Sequence, residues 1–164
     1  MSSETTRYFC ILTLGLLVAC AGPEQTRDLP DNVSDAEAPQ KATTVTVQAS
    51  TSPQEAYRTA ARVLQSEGYA LENTDSELRS ITTGRKSADP NGILVGLPEH
   101  RVTVSVGSSP TAVELRGTAY QDAGQSQIKK WGQSSSPQRL AWAQLVTIGH
   151  LVAEKTGGEL QYEK

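Results

Sequence analysis

The sequence predicts an α+β fold: a two-layer sandwich with an antiparallel sheet of four or five strands and two helices on one face. Three observations lead there. Short stretches alternate apolar and polar residues, as in "TTVTVQA" and "RVTVSVG", which marks strands with one covered face. Two longer stretches carry apolar residues at helical spacing, which marks two one-sided helices. Four strand-like pieces follow one another between those helices, so their pairing is antiparallel and the helices cover a single side.

In chain order, the first strand is "TTVTVQA", with Val45, Val47 and Ala49 on one side and Thr44, Thr46 and Gln48 on the other. "SPQE" follows, giving Ser52 as N-cap, Pro53 as first helical residue and Glu55 as the third member of a capping box. Ala56, Tyr57, Ala60, Val63 and Leu64 form the buried stripe, and Gly68 stops the helix. "YALENTD" and "RSITTGR" are short strands joined around Asp75–Glu77. Val102, Val104 and Val106 then pair across a Ser108–Pro110 turn with Val113, Leu115, Gly117 and Ala119, as a hairpin. Residues 121–135 read as a polar loop. Ser136 is the expected cap of a second helix starting at Pro137, with Ala141, Leu145, Ile148 and Val152 buried and the stripe widened by Trp142, Val146 and Gly149. Gly157–Gly158 ends it, and "ELQYE" is an optional last strand. No internal repeat is present.

Ahead of this unit the composition changes. Tyr8–Ala19, "YFCILTLGLLVA", is an apolar run of 12 residues with Arg7 before it. A bilayer crossing takes about 20 apolar residues, so the run fits the core of a secretory signal instead. Residues 21–42 hold five acidic and two basic side chains, three prolines and no aromatic. Such a segment buries too little apolar surface to offset its ordering entropy and reads as a disordered tether spanning about 26 Å root-mean-square. The tether carries the whole net charge of −3, because residues 43–164 hold 12 acidic and 12 basic groups. A neutral domain has no summed field to steer a charged partner, and a pI near 5.4 argues against a nucleic-acid surface.

The boundary "LVAC", Leu17–Cys20, resembles the lipobox of bacterial lipoproteins. That resemblance implies removal of residues 1–19, a diacylglyceryl thioether on Cys20 and acylation of its new amino group. Cys10 would leave with the signal, so no disulfide could form in the mature chain. Two or three acyl chains hold a protein firmly, at about 0.8 kcal/mol per buried CH₂. Ala21 after the cysteine implies, in a Gram-negative cell, residence at the outer membrane facing the periplasm. The expected organisation is signal 1–19, lipidated tether 20–42 and a single domain over 43–164. The topology and "SPQEAYRTAARVLQSEGY" resemble small domains of envelope lipoproteins, of the helix-grip type found in outer-membrane assembly lipoprotein C, over about residues 43–156. The resemblance brings no functional residue with it.

Chemistry is sparse. No Gly-x-Ser-x-Gly joins a strand to a helix, and the two histidines, His100 and His150, lie 50 residues apart with no zinc spacing around them. Both read as surface or rim residues, and Asp75 with Glu77 reads as turn chemistry. The expectation is no catalytic residue, no metal and no cofactor. Two stretches remain as partner contacts. Ile93, Leu94, Val95 and Leu97 are either core or an adhesive flap. Lys129, Lys130 and Trp131 suit anionic headgroups, a glycan or an acidic partner, or pack as a lid. The leading expectation is a non-catalytic envelope lipoprotein that binds another envelope protein or a glycan. A carrier of a small apolar ligand in a cavity lined by Tyr57, Val104 and Leu145 is the alternative, and a weak hydrolase using His100 the third.

Overall fold

The structure, a computed structural model, describes residues 38–87, 99–121, 124–130 and 137–164. Strand β1 (Thr44–Gln48) leads into helix α1 (Pro53–Ser66). Then come β2 (Leu71–Asp75), β3 (Ser80–Thr83), β4 (Lys86–Ser87), β5 (Glu99–Val106), β6 (Ala112–Gln121) and β7 (Gly124–Gln127). Helix α2 (Pro137–Thr156) and strand β8 (Glu159–Glu163) complete the described order. All pairings are antiparallel, and the sheet runs β2-β3-β5-β6-β1-β8, with β4 added to β5 and β7 to β6.

The α+β class holds, with both helices packed on the sheet and on each other. The strand number does not: among the described residues the sheet has eight strands, against the four or five expected. The optional last strand forms, and two further strands carry no hydrophobic alternation. β4 has only two residues, and β7 is "GQSQ", exposed throughout. Both are held by backbone pairing, which leaves no periodic mark in side chains. The expected polar loop 121–135 therefore begins as strand and then turns Ile128 fully inward.

Register explains the core. Val45 lies opposite Leu115, Leu115 opposite Val104, and Val104 opposite Ile81, so one row of apolar side chains crosses four strands. Val47, Val113 and Val106 form the next row. All seven are buried, each worth about 1.5–3 kcal/mol. Their neighbours Thr103, Ser105, Glu114 and Arg116 point to the other face, which neither helix covers. The helix stripes match expectation: Ala56, Tyr57, Ala60, Val63 and Leu64 are buried on α1, and Ala141, Trp142, Leu145, Val146, Ile148 and Val152 on α2. Ser52 Oγ accepts from Glu55 N at 3.3 Å, and Gly68 takes φ +79 after the last turn of α1.

The packed unit extends upstream of Thr43. Ala38 and Ala42 are 5% and 0% exposed and join the core. Small apolar residues within "DAEAPQKA" make a weak sequence signal.

Helix α2 lies unusually close to β1. A Cβ on Gly149 would stand 2.7 Å from Val45 Cγ1 and 3.5 Å from Leu160 Cδ2. Gly149→Ala gains about 1 kcal/mol of helix propensity but drives a methyl into a filled core, which costs about 1–3 kcal/mol. The expected result is a net loss of stability in urea unfolding. In a Gly149→Ala/Val45→Ala chain the loss should be smaller than the sum of the two single losses. Additive losses would show that the two residues do not share the space.

Candidate functional site

The strand directions bring most of the unusual chemistry to one end of the sandwich. β1 starts there, β5 starts there, and β6 finishes there, because Thr44 pairs with Arg116 and Glu99 with Tyr120. α1 ends there and α2 begins there: Gln144 reaches Tyr69, the second residue beyond Glu67, the α1 C-cap.

The interior of this end holds a polar unit. Tyr69 Oη lies 2.6 Å from His100 Nε2 and 3.1 Å from Gln144 Oε1. Tyr69 is 4% exposed and His100 0%. His100 was expected at the surface or rim, and that reading is corrected. It sits on β5 opposite Ala119, in phase with Val102 and Val104, so strand alternation turns its ring inward. The phenol has one proton. It goes to Gln144 Oε1 when His100 carries its proton on Nε2, and to His100 Nε2 in the other tautomer, so the imidazole tautomer sets the direction of the chain.

Electrostatics keep this unit neutral. Burial first, and the Lys86 ammonium second, push the His100 pKa down to about 4 from 6.5; the nearby Gln144 amide and Lys86 backbone act in the opposite sense and are outweighed. Burial, then the charge of Glu67, holds the Tyr69 phenol well above its usual value, so it stays protonated. Lys86 closes the unit. Its Nζ lies 4.5 Å from the centre of the Tyr69 ring and donates to the Glu67 carbonyl, at the open end of α1. A neutral histidine–tyrosine–glutamine chain beside a lysine can relay a hydrogen bond. As a base, His100 is weak, and its ring faces the core.

On the opposite face at the same end, Tyr120 is half-buried beneath Arg85, whose guanidinium carbon is 4.0 Å from the ring centre. Arg101 pairs with Glu72 at 2.6 Å and Arg85 with Glu99 at 3.9 Å. Exposed pairs of this kind contribute about 0–1 kcal/mol each.

The third component is the fastening of the segment before β1. Lys41 N donates to Lys130 O at 3.0 Å, and Lys130 N donates to Ala42 O at 2.8 Å. Lys130 Nζ donates to Ala38 O at 2.9 Å, and Thr43 N to Glu163 O at 2.8 Å. Of the residues singled out by sequence, Lys130 is therefore a clasp on the incoming chain, and Lys129 beside it is half-buried. Ile93, Leu94, Val95, Leu97, Trp131 and Cys20 lie outside the described residues. Tyr69, Lys86, Gln144 and the clasp were not found by sequence reasoning. For Tyr69 and His100 the only available mark is phase, since a histidine in register with three valines belongs to the core. His150, on α2, is half-buried, and no group of His, Cys, Asp and Glu among the described residues could hold a metal.

His100 makes stability depend on pH. Its folded pKa lies below the unfolded value of 6.5, so the unfolded chain binds more protons between pH 6.5 and about 4. The histidine's contribution is complete above pH 6.5 and is lost as pH falls to about 4, by up to about 3 kcal/mol for a shift of this size. Urea midpoints at pH 7, 5.5 and 4.5 should fall accordingly, and the His100→Gln chain should lose much of that slope. An equal slope in both chains would place the titration elsewhere. Tyr69→Phe, which removes the hydroxyl that meets both His100 and Gln144, should cost about 1–3 kcal/mol at pH 7.

No protein-family model matches this chain, and no curated protein matches it.

Proposed function

We propose that the chain is a membrane-anchored envelope lipoprotein, held by acyl groups on Cys20, whose α+β domain acts as a non-catalytic binding or assembly module for another envelope protein or a glycan. One observation carries this reading: the only long apolar run of the sequence stops at Leu17–Cys20, where polar, proline-bearing residues begin. A thiol at that boundary is where a lipid anchor forms, and the small residues before it suit a peptidase that grips extended backbone. The firmly clasped residues 38–43 support it, since an anchored domain needs a defined point of attachment. In a Gram-negative cell Ala21 assigns the protein to the outer membrane, facing the periplasm. Partner contact is proposed for Ile93, Leu94, Val95 and Leu97 and for Lys129, Lys130 and Trp131.

Mass spectrometry of the membrane fraction should find Cys20 acylated and residues 1–19 gone. In Cys20→Ser both changes should disappear. Recovery of the wild-type chain, unmodified, in the soluble fraction would refute the anchor. For the module itself, photo-crosslinkers placed at Val95 and at Trp131 in living cells should capture the same envelope neighbour from both positions. Capture of nothing specific from either would refute the binding role while leaving the anchor intact.

A further inference from the structure

The end of the sandwich opposite the clasp carries the one large apolar side chain that the described residues leave in solvent. Leu78 is 73% exposed, in the turn of residues 76–79 between β2 and β3. β5 starts at the clasp end and finishes against this turn. A single exposed leucine is ordinary on a protein surface. This one stands on a backbone fixed from both sides. Asp75 Oδ1 accepts from the Glu77 amide at 2.9 Å and from the Leu78 amide at 2.8 Å. Arg79 then takes φ +49, a left-handed conformation that glycine adopts more readily. Val106 N donates to Arg79 O at 3.0 Å, and Arg79 Nε donates to Val106 O at 3.3 Å, so β5 holds the strained residue in place. A turn that only reversed the chain would do better with glycine, and strain kept at an exposed tip marks what the tip presents.

The tip also carries a charge. Glu77, beside Leu78, is exposed and forms no ion pair among the described residues. Apolar carbon next to an unpaired carboxylate suits a pocket that is apolar inside and basic at its rim. A leucine has neither a hydrogen-bonding group nor an aromatic face for a sugar ring, so such a pocket belongs to a protein rather than a glycan. Resting on the binding-module reading, we propose that the β2–β3 tip is the part of the domain that enters its envelope protein partner, with Leu78 filling an apolar pocket and Glu77 meeting a basic group at the rim. A side chain already held in place loses little freedom on binding and keeps most of its burial gain. Full burial of a leucine is worth about 10- to 100-fold in affinity. Leu78 buries little within the domain itself, so its replacement leaves the fold intact.

The test uses the full-length chain in living cells, with a photo-crosslinker at Ser76, which is exposed beside the tip. The otherwise wild-type chain should yield one protease-sensitive adduct. Leu78→Ser should lower its yield at least about tenfold, and Leu78→Met should keep it, because the pocket accepts apolar carbon of similar volume. Glu77→Lys should lower the yield further than Glu77→Gln, since it turns attraction at the rim into repulsion. Asp75→Ala, which frees both amides, should lower the yield although Leu78 is still present, and Asp75→Asn, which keeps the acceptor oxygen, should restore it. Urea midpoints of the purified Leu78 and Glu77 variants should match the wild type, so that a lost adduct reports binding rather than unfolding. Equal yields from Leu78→Ser and wild type overturn the proposal, as does an adduct that resists protease and carries sugar. No adduct from Ser76 overturns it as well. In that case a neighbour still captured from Val95 or Trp131 keeps the binding role and removes only the tip, whereas capture of nothing from any position removes both.

Discussion

Both helices pack on one face of this sheet, and α2 reaches that face through its own backbone at Gly149. The missing side chain lets the helix settle on Val45 and Leu160, which lie on adjacent strands. That contact sets the depth of the upper layer over β1 and β8, and with it the space for Leu145, Ile148 and Val152 on the same helix. A second close approach repeats the device on the sheet itself. A Cβ on Gly117 would meet Ile128 Cδ1 at 2.5 Å, so the chain after β7 can fold its isoleucine onto β6. Ile128 N donates to Gly117 O at 2.8 Å, and two residues later Lys130 meets Ala42. The clasp on the incoming chain thus follows from a glycine on β6.

The same topology accounts for the buried polar unit. Alternation along β5 puts position 100 in phase with the core, where an apolar side chain is the simplest choice. A histidine there is tolerable only while neutral and paired. Tyr69, delivered by the turn after α1, and Gln144, one turn before Ile148 on α2, supply the partners. Lys86 then ties β4 to the carbonyl end of α1. The end of α1, β4, β5 and α2 are thus joined at this end by hydrogen bonds. Such joining specifies a single arrangement better than grease would, and it ties folding to the protonation of one imidazole.

Much of the fold was legible in the sequence because side-chain periodicity reports burial directly. Val102, Val104 and Val106 on a strand, or Ala141, Leu145, Ile148 and Val152 on a helix, repeat at the spacing of their own element. What periodicity cannot report is backbone pairing without burial. β4 and β7 pair through peptide groups and place no apolar side chain in the core, so "KS" and "GQSQ" look like any polar loop. The candidate site was less legible still. The polar unit alone comes from four places in the chain, Tyr69, Lys86, His100 and Gln144, which meet only once it is folded. Even Lys130, singled out for its charge, has a second job through its peptide group, and no residue type announces that.

The position of β1 gives the clasp a mechanical meaning under the proposed anchoring. β1 is the strand that receives the tether, yet it is interior to the sheet, with β6 on one side and β8 on the other. Antiparallel hydrogen bonds lie across the strand direction. A pull from the membrane along β1 would load those bonds on both flanks together, in shear, rather than peel them one at a time. An edge strand such as β2 has one flank and would yield more readily. The hydrogen bonds of Lys41, Ala42 and Thr43 stand ahead of β1, so they would take the first strain and keep it from the register of Val45 and Val47. A chain that enters its fold at a central strand, behind a clasp, is suited to hold a domain at the end of a leash. The helix contact at Gly149 bears on the same strand, so covering the sheet and bearing the load fall to one element.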